Sequence, residues 1–311
     1  MRILVTGGAG FIGSHVCEQA LAAGHEVAAL DDLSNGKREN LPEGVPLFEV
    51  DIRDKDALAK AFADFRPDAV SHQAAQASVS VSVREPLMDA DVNVLGSINV
   101  LEACAAHDCA NFVFASTGGA IYGEIPEPEL AAVGRPPIPE SPYAAAKLAV
   151  EGYLTFYRDR GLSCTVLRYA NIYGPRQDPH GEAGVVAIFC QRLLAGAPVQ
   201  VNARAVAGDR GCLRDYTYVD DVVKANLAAL RGECPHPLMN IGTGIATDTQ
   251  TLLEILQAQG DFSSEVSFTP PREGDVQRSV LDGDEFVRAY GAPIDLATGL
   301  EQTMAWFRDS P

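Results

Sequence analysis

Between a strand-like apolar run, Ile3 to Thr6, and a helical pattern from Gly13 to Ala23, the chain reads ILVTGGAGFIGSH, with Gly7, Gly10 and Gly13 at three-residue spacing. No other stretch constrains the fold as tightly. Glycine at these positions serves a tight turn, close backbone approach to a bound group and close packing of helix on strand, and it aims a helix N-terminus at an anion. Further apolar runs of strand length follow at Glu26 to Leu30, Leu47 to Val50, Ala69 to His72, Asn111 to Ser116 and Ser163 to Arg168. Helical patterns at Lys55 to Phe65, Asn93 to His107 and Tyr143 to Arg160 stand between them. Strand and helix in strict turn predict βαβ units and a parallel sheet with helices on both faces.

The expected fold class is therefore α/β, a doubly wound, Rossmann-like parallel sheet. Past Arg168 the alternation breaks up: a Gly- and Pro-bearing stretch precedes an apolar helix from about Val185 to Ala195, and shorter irregular elements follow. Residues 1–170 are expected to form the dinucleotide-binding domain, its sheet completed by a segment near 214–243. Residues 171–311 are expected to form a smaller, mixed C-terminal substrate-binding region interleaved with the first, because no flexible spacer separates the halves. Six prolines between Glu124 and Pro142 predict a stiff, non-helical loop.

Composition sets limits on partners. With 24 Lys and Arg against 42 Asp and Glu, the net charge of −18 argues against a chain built to hold nucleic acid or an anionic membrane. Seven scattered cysteines without CxxC or zinc-ligand spacing read as reduced thiols, with no metal site. Without a signal peptide or an apolar run of membrane-spanning length, the expected location is the cytoplasm.

The glycine turn gains meaning from Asp31 and Asp32, which close the second strand where a carboxylate meets an adenosine ribose. A carboxylate there accepts from both ribose hydroxyls and repels a 2′-phosphate, which favours NAD over NADP, with Asp31 preferred to Asp32 and Asn35 following in the same turn. Phe11 and Ile12, within the glycine turn ahead of the helix, are further expected cofactor contacts. Asp51 and Ile52 are placed to flank the adenine, with a helix N-cap as the alternative for that acidic end. Farther on, Tyr143 and Lys147 stand four residues apart on one face of a starting helix. A free tyrosine, with a pKa near ~10, is a poor base at neutral pH, but a neighbouring cation favours the phenolate, which can take a proton from a hydroxyl. Ser116 and Thr117 supply hydroxyls at the end of the preceding strand.

With these elements assembled, the chain resembles the extended short-chain dehydrogenase/reductase family over nearly its whole length, on TGGAGFIG (Thr6 to Gly13), STGGAIYG (Ser116 to Gly123) and YAAAK (Tyr143 to Lys147). The subgroup it looks most like is that of the UDP-glucose and UDP-N-acetylglucosamine 4-epimerases. The resemblance implies a UDP-sugar substrate, transient oxidation at C4 with hydride passing to NAD, rotation of the 4-ketose and hydride return to its other face. It implies Tyr143 as base, Lys147 as its cationic partner on the nicotinamide ribose, and Thr117 as the hydroxyl bridging O4 and Tyr143, with Ser116 as substitute. By the same likeness Ala74, Ala75, Gln76 and Asn93 pass the cofactor, while Asn171, Val185, Arg214, Arg272 and Asp275 meet the nucleotide sugar. Ser279 stands where a tyrosine narrows the sugar pocket in glucose-restricted epimerases, which implies room for a 2-acetamido group. Glycines after Thr117, where the similar 4,6-dehydratases carry an acid, weigh against dehydration. A UDP-glucuronate 4-epimerase, a 4,6-dehydratase and a catalytically dead nucleotide-sensing protein are the alternatives. Family members pair as homodimers through a four-helix bundle, here implying the helices at about Met88 to His107 and Tyr143 to Arg160, with Val92, Leu95, Leu148, Val150 and Leu154; core packing within one chain is the competing use of these side chains.

Overall fold

The computed structural model describes residues 1–180, 184–260, 262–271 and 276–309. In chain order it begins β1 (Arg2–Thr6), α1 (Phe11–Ala22), β2 (Glu26–Asp31), β3 (Leu47–Glu49), α2 (Lys55–Phe65) and β4 (Ala69–His72). Next come α3 (Val79–Arg84), α4 (Pro86–Ala90), a π-helical stretch Asp91–Gly96, α5 (Ser97–Ala106), β5 (Asn111–Thr117), α6 (Gly118–Ile121), α7 (Pro142–Arg158) and β6 (Ser163–Tyr169). The remainder adds β7 (Asn171–Tyr173), α8 (Val185–Leu194), β8 (Val199–Asn202), β9 (Leu213–Tyr218), α9 (Val219–Leu230) and β10 (Leu238–Ile241). It closes with β11 (Ala246–Asp248), α10 (Thr249–Ala258), β12 (Val266–Thr269), β13 (Arg278–Ser279), α11 (Asp284–Tyr290) and α12 (Leu296–Asp309).

Packing divides the chain into two compact units. The first comprises Met1–Thr117, Ser141–Arg168 and Val222–Met239; the second is drawn from Gly118–Glu140, Tyr169–Asp221 and the described residues from Asn240 onward. Besides a return of the chain to the first unit at Val222–Met239, the proline-rich segment after β5 packs with the second unit.

A seven-stranded sheet in the order β10–β6–β5–β4–β1–β2–β3 dominates the fold. The pairs β1–β2, β1–β4, β2–β3 and β4–β5 run parallel, with Thr6 opposite both Leu30 and His72. Because strand order reverses beside β1, a crevice opens between the carboxyl ends of β1 and β4, the usual ligand position in such sheets. Burial is nearly unbroken along β1, β2 and β4, as strands covered on both faces require. Leu4, Leu30, Phe62, Phe112, Phe114 and Leu154 belong to one core, and each such side chain contributes roughly 1.5–3 kcal/mol by leaving water. Helix α2 starts where Asp54 caps the N–H groups of Asp56 and Ala57, and ends at Arg66 in the left-handed region.

One helix departs from expectation. The segment predicted as a continuous helix from Asn93 instead follows α4 through the π-helical stretch before α5. Asn93 turns its amide onto Gln76 and Asp89, while Ser97 Oγ donates to Asn93 O at 2.6 Å. In the second unit, β9 pairs with β7, β11 and β13. The proline-rich segment carries no helix between Tyr122 and Ser141. Arg278 Nη1 pins it by donating to the carbonyls of Ile125, Pro126 and Glu129.

Candidate active site

The glycine turn lies at the switch point. Gly7 has φ +64°, and a Cβ there would sit 2.6 Å from the amide nitrogen of Ala74, so the turn after β4 passes directly over it. At Gly13 a Cβ would fall 2.0 Å from Gly7 O, which explains how closely α1 approaches β1. Gly10 caps α1 without a side-chain hydrogen bond, and the first turn, with the partly exposed Phe11 and Ile12, carries no acid. These N–H groups thus face no carboxylate of their own turn, an arrangement suited to a diphosphate. Asp31 is buried and accepts from the N–H groups of Ala9 (3.0 Å) and Leu33 (2.9 Å). Burial raises its pKa, against the lowering effect of those two bonds. Asp32 is exposed and holds the N–H and hydroxyl of Ser34; Asn35 is exposed as well. Asn40, which no sequence motif singles out, donates to Ala9 O at 2.9 Å beside the Lys37 N–H. A lone asparagine nine residues past β2 gives no signal of such a role.

Around this turn, several expected cofactor residues are engaged within the protein. Asp51 forms an ion pair with Arg53, whose hydrogen bonds hold its carboxyl below the usual range. The cap of α2 falls to Asp54, not to Asp51. Ile52 is buried and packs where a Cβ on Gly96 would collide with it. Ala74, Ala75 and Gln76 are partly exposed. Asn93 accepts from the Gln76 N–H and donates to Gln76 O and Asp89 Oδ1, each at 2.9 Å. Its amide therefore sets the path of the turn after β4.

The tyrosine and lysine project from the first turns of α7, which begins where Ser141 Oγ accepts from the Ala144 N–H, with Pro142 at the first helical position. Lys147 is buried, and its Nζ donates to Ala115 O at 2.9 Å and lies 4.8 Å from the Phe114 ring centre. The same ammonium stands 5.9 Å from the centre of the Tyr143 ring. A buried ammonium held on a strand carbonyl near a phenol ring is a positioned charge. Ser116 and Thr117, both buried, end β5 one and two residues beyond the carbonyl that Lys147 holds. Gly118 follows, where a Cβ would meet the Leu281 side chain at 2.5 Å, and at Gly119 one would meet Asn171 Oδ1 at 3.2 Å. An acid at position 118 would have to displace Leu281.

In the second unit, Asn171 opens β7 opposite Tyr216, and Val185 is the first residue of α8. Carbonyls of Leu213 (3.1 Å) and Val276 (2.5 Å) hold the Arg214 guanidinium, so this arginine is fixed in place. Ser279 is buried on β13, in register with Arg214. Arg272 and Asp275 lie outside the described residues. Beside Arg214, Asp215 is buried and accepts from the N–H groups of Thr243, Gly244 and Leu281. Burial raises its pKa, while those bonds act in the opposite direction.

A doubly wound sheet with an open glycine turn at its switch point, and a tyrosine–lysine pair beside a strand-end hydroxyl, defines a nucleotide-dependent oxidoreductive site. The model of the NAD dependent epimerase/dehydratase family matches residues 3–242, and the chain belongs to that family. It is similar to a UDP-glucose 4-epimerase of Mycolicibacterium smegmatis, with 43% identity over 99% of both chains. Among solved structures, the UDP-glucose 4-epimerase of Thermus thermophilus in complex with NAD is 52% identical, with a TM-score of 0.96 and complete coverage of both chains. The UDP-glucose 4-epimerase of Thermotoga maritima with UDP-glucose is 46% identical, with a TM-score of 0.92 over 100% of this chain and 99% of that one.

Proposed function

We propose that the protein is an NAD-dependent 4-epimerase of UDP-hexoses, interconverting UDP-glucose and UDP-galactose and accepting the 2-acetamido pair as well. The observation that carries this reading is the placement of Lys147 Nζ between Ala115 O and the Tyr143 ring, directly before the hydroxyls that end β5. The glycine turn, the uncapped start of α1 and the Asp31 carboxylate fit NAD. Bound there, NAD supplies the acceptor and donor of hydride. Tyr143 takes the proton from O4 as C4 is oxidised and returns it on reduction, and Lys147 steadies the phenolate. Thr117 orients O4. With glycine at 118 and 119, no carboxylate follows Thr117 to expel water from the 4-ketose, so oxidation leads back to reduction.

Asn171, Val185 and Arg214, with Arg272 and Asp275, are the proposed contacts of the UDP-sugar; guanidinium forks suit paired phosphate oxygens. The small side chain of Ser279 supports acceptance of an acetamido group. We place the protein in the cytoplasm, a reading that its seven free cysteines support. Among the described residues no helix is long and apolar enough to cross a membrane. A homodimer through a four-helix bundle, built on the helices at about Met88 to His107 and Tyr143 to Arg160, is part of the same proposal.

Denaturing the purified protein should release about one NAD per chain. The intact protein, without added cofactor, should convert both UDP-galactose and UDP-GalNAc, and Tyr143→Phe should slow this at least ~100-fold while NAD stays bound. A dehydrated product by NMR, or no turnover of UDP-galactose by protein that retains NAD, would overturn the assignment.

A further inference from the structure

Under the end of β5 lies a buried polar network that the chemistry above does not use. Ser116 Oγ donates to Glu151 Oε1 at 2.6 Å. Arg168 grips the same carboxylate, with Nε on Oε1 at 2.9 Å and Nη2 on Oε2 at 2.6 Å. The three residues are 3%, 8% and 4% exposed. Ion pairs taken this far out of water add little net stability compared with well-packed apolar groups, because desolvation offsets their attraction. Stability alone is thus a poor reason for this one.

Its geometry suggests another. Tyr143, Lys147 and Glu151 succeed one another at four-residue spacing and form one stripe of α7. Two polar ties fasten that stripe to successive residues of β5: Lys147 Nζ to Ala115 O, and Glu151 to Ser116 Oγ. Arg168 extends the fastening to β6, the neighbouring strand. A hydroxyl has one proton to give, and an ionised carboxylate can only accept. The Ser116 proton is therefore committed to Glu151 and is not available to substrate.

We propose that Ser116, Glu151 and Arg168 are positioning residues that lock the register of α7 against the end of β5, and that Ser116 is excluded from contact with the reacting sugar, which leaves that contact to Thr117. The inference rests on the epimerase reading. Displacement of a catalytic group by about 1 Å can cost ~100-fold in rate, so a slackened register should appear in turnover before it appears in binding.

The test uses full-length protein carrying its own NAD, with kcat, KM for UDP-galactose and NAD content measured for Ser116→Ala, Thr117→Ala, Glu151→Gln and the Ser116→Ala/Glu151→Gln double variant. Ser116→Ala is expected to lower kcat roughly tenfold with KM and NAD content unchanged, and Thr117→Ala to lower it ~100-fold or more. The double variant should be no slower than Glu151→Gln alone, since losing the charge that Arg168 grips already slackens the carboxylate position on which the Ser116 tie depends. A loss in Ser116→Ala equal to that in Thr117→Ala would make Ser116 the reacting hydroxyl and overturn the proposal. An unchanged kcat in Ser116→Ala, or additive losses in the double variant, would overturn it too. Should Glu151→Gln fail to fold, the comparison of Ser116→Ala with Thr117→Ala still decides. Failure of the underlying function looks different: wild-type protein holding NAD would then leave UDP-galactose untouched.

Discussion

A histidine at a strand end beside a cofactor turn invites an acid–base role, and the surroundings of His72 withhold one. Its ring is fully buried, with Thr6 Oγ1 2.6 Å from Nδ1 and Ser97 Oγ 2.9 Å from Nε2. Ser97 gives its hydroxyl proton to Asn93 O, so it accepts from Nε2–H, and Thr6 donates to Nδ1. The neutral ring satisfies both neighbours. Burial, reinforced by the Lys147 charge, pushes its pKa from 6.5 down to about 3. As pH falls below 6.5 the unfolded chain therefore takes up a proton that the folded chain refuses, and stability is lost progressively toward pH 3. Between pH 7 and pH 5 this one group removes about 2 kcal/mol. Urea unfolding at the two pH values should show the acid loss smaller by that amount in His72→Gln. An identical loss in variant and wild type would mean that the folded chain protonates the ring. The sequence places His72 at the end of β4, but Thr6 and Ser97 become its partners only when β1, β4 and α5 assemble.

Elements show more plainly which parts of the structure local pattern can reveal. Helix α2 and strand β4 match their expected bounds because period, cap and burial agree along each. The π-helical stretch could not be read, since it follows from Asn93 reaching Gln76, seventeen positions away on another element. The site divides the same way. Gly7, Gly13, Tyr143 and Lys147 announce themselves by spacing, whereas Glu151 and Arg168 look like an ordinary helix acid and strand base until the fold joins them to Ser116. Asn93→Ala would remove two hydrogen bonds that fix the turn after β4 against the π-helical stretch, and a third to Asp89 of α4. At about 1 kcal/mol each, the expected loss is roughly 2–3 kcal/mol. Because that turn crosses Gly7, released NAD per chain should fall as well. Chemical denaturation together with nucleotide quantitation checks both; wild-type NAD content in a destabilised variant would confine Asn93 to packing.

At the scale of the whole molecule, the acid-rich surface and the helices beside the site bear on assembly. Of the side chains that the sequence offered for a dimer face, Val150 and Leu154 belong to the core, so the competing use accounts for them. Leu95, by contrast, is 55% exposed, and Leu87, Val83, Phe156 and Tyr153 are exposed with it. Leu87 stands out at 86%. These residues lie on α3, α4, the π-helical stretch and α7, which pack on one another. Two chains of charge −18 repel, so the proposed pairing must draw on apolar burial, and salt should strengthen it by screening the repulsion. In a two-fold dimer each substitution acts twice. Losing about 2 kcal/mol of burial per Leu87 weakens association ~1000-fold before the added charge is counted. Sedimentation velocity should therefore find a dimer for the wild type at micromolar concentration, shifted further toward dimer as salt rises from low to moderate ionic strength, and a monomer for Leu87→Asp. A Leu87→Asp dimer as stable as the wild type, or a wild-type dimer that salt dissociates, would show that another, charge-paired surface holds the copies together.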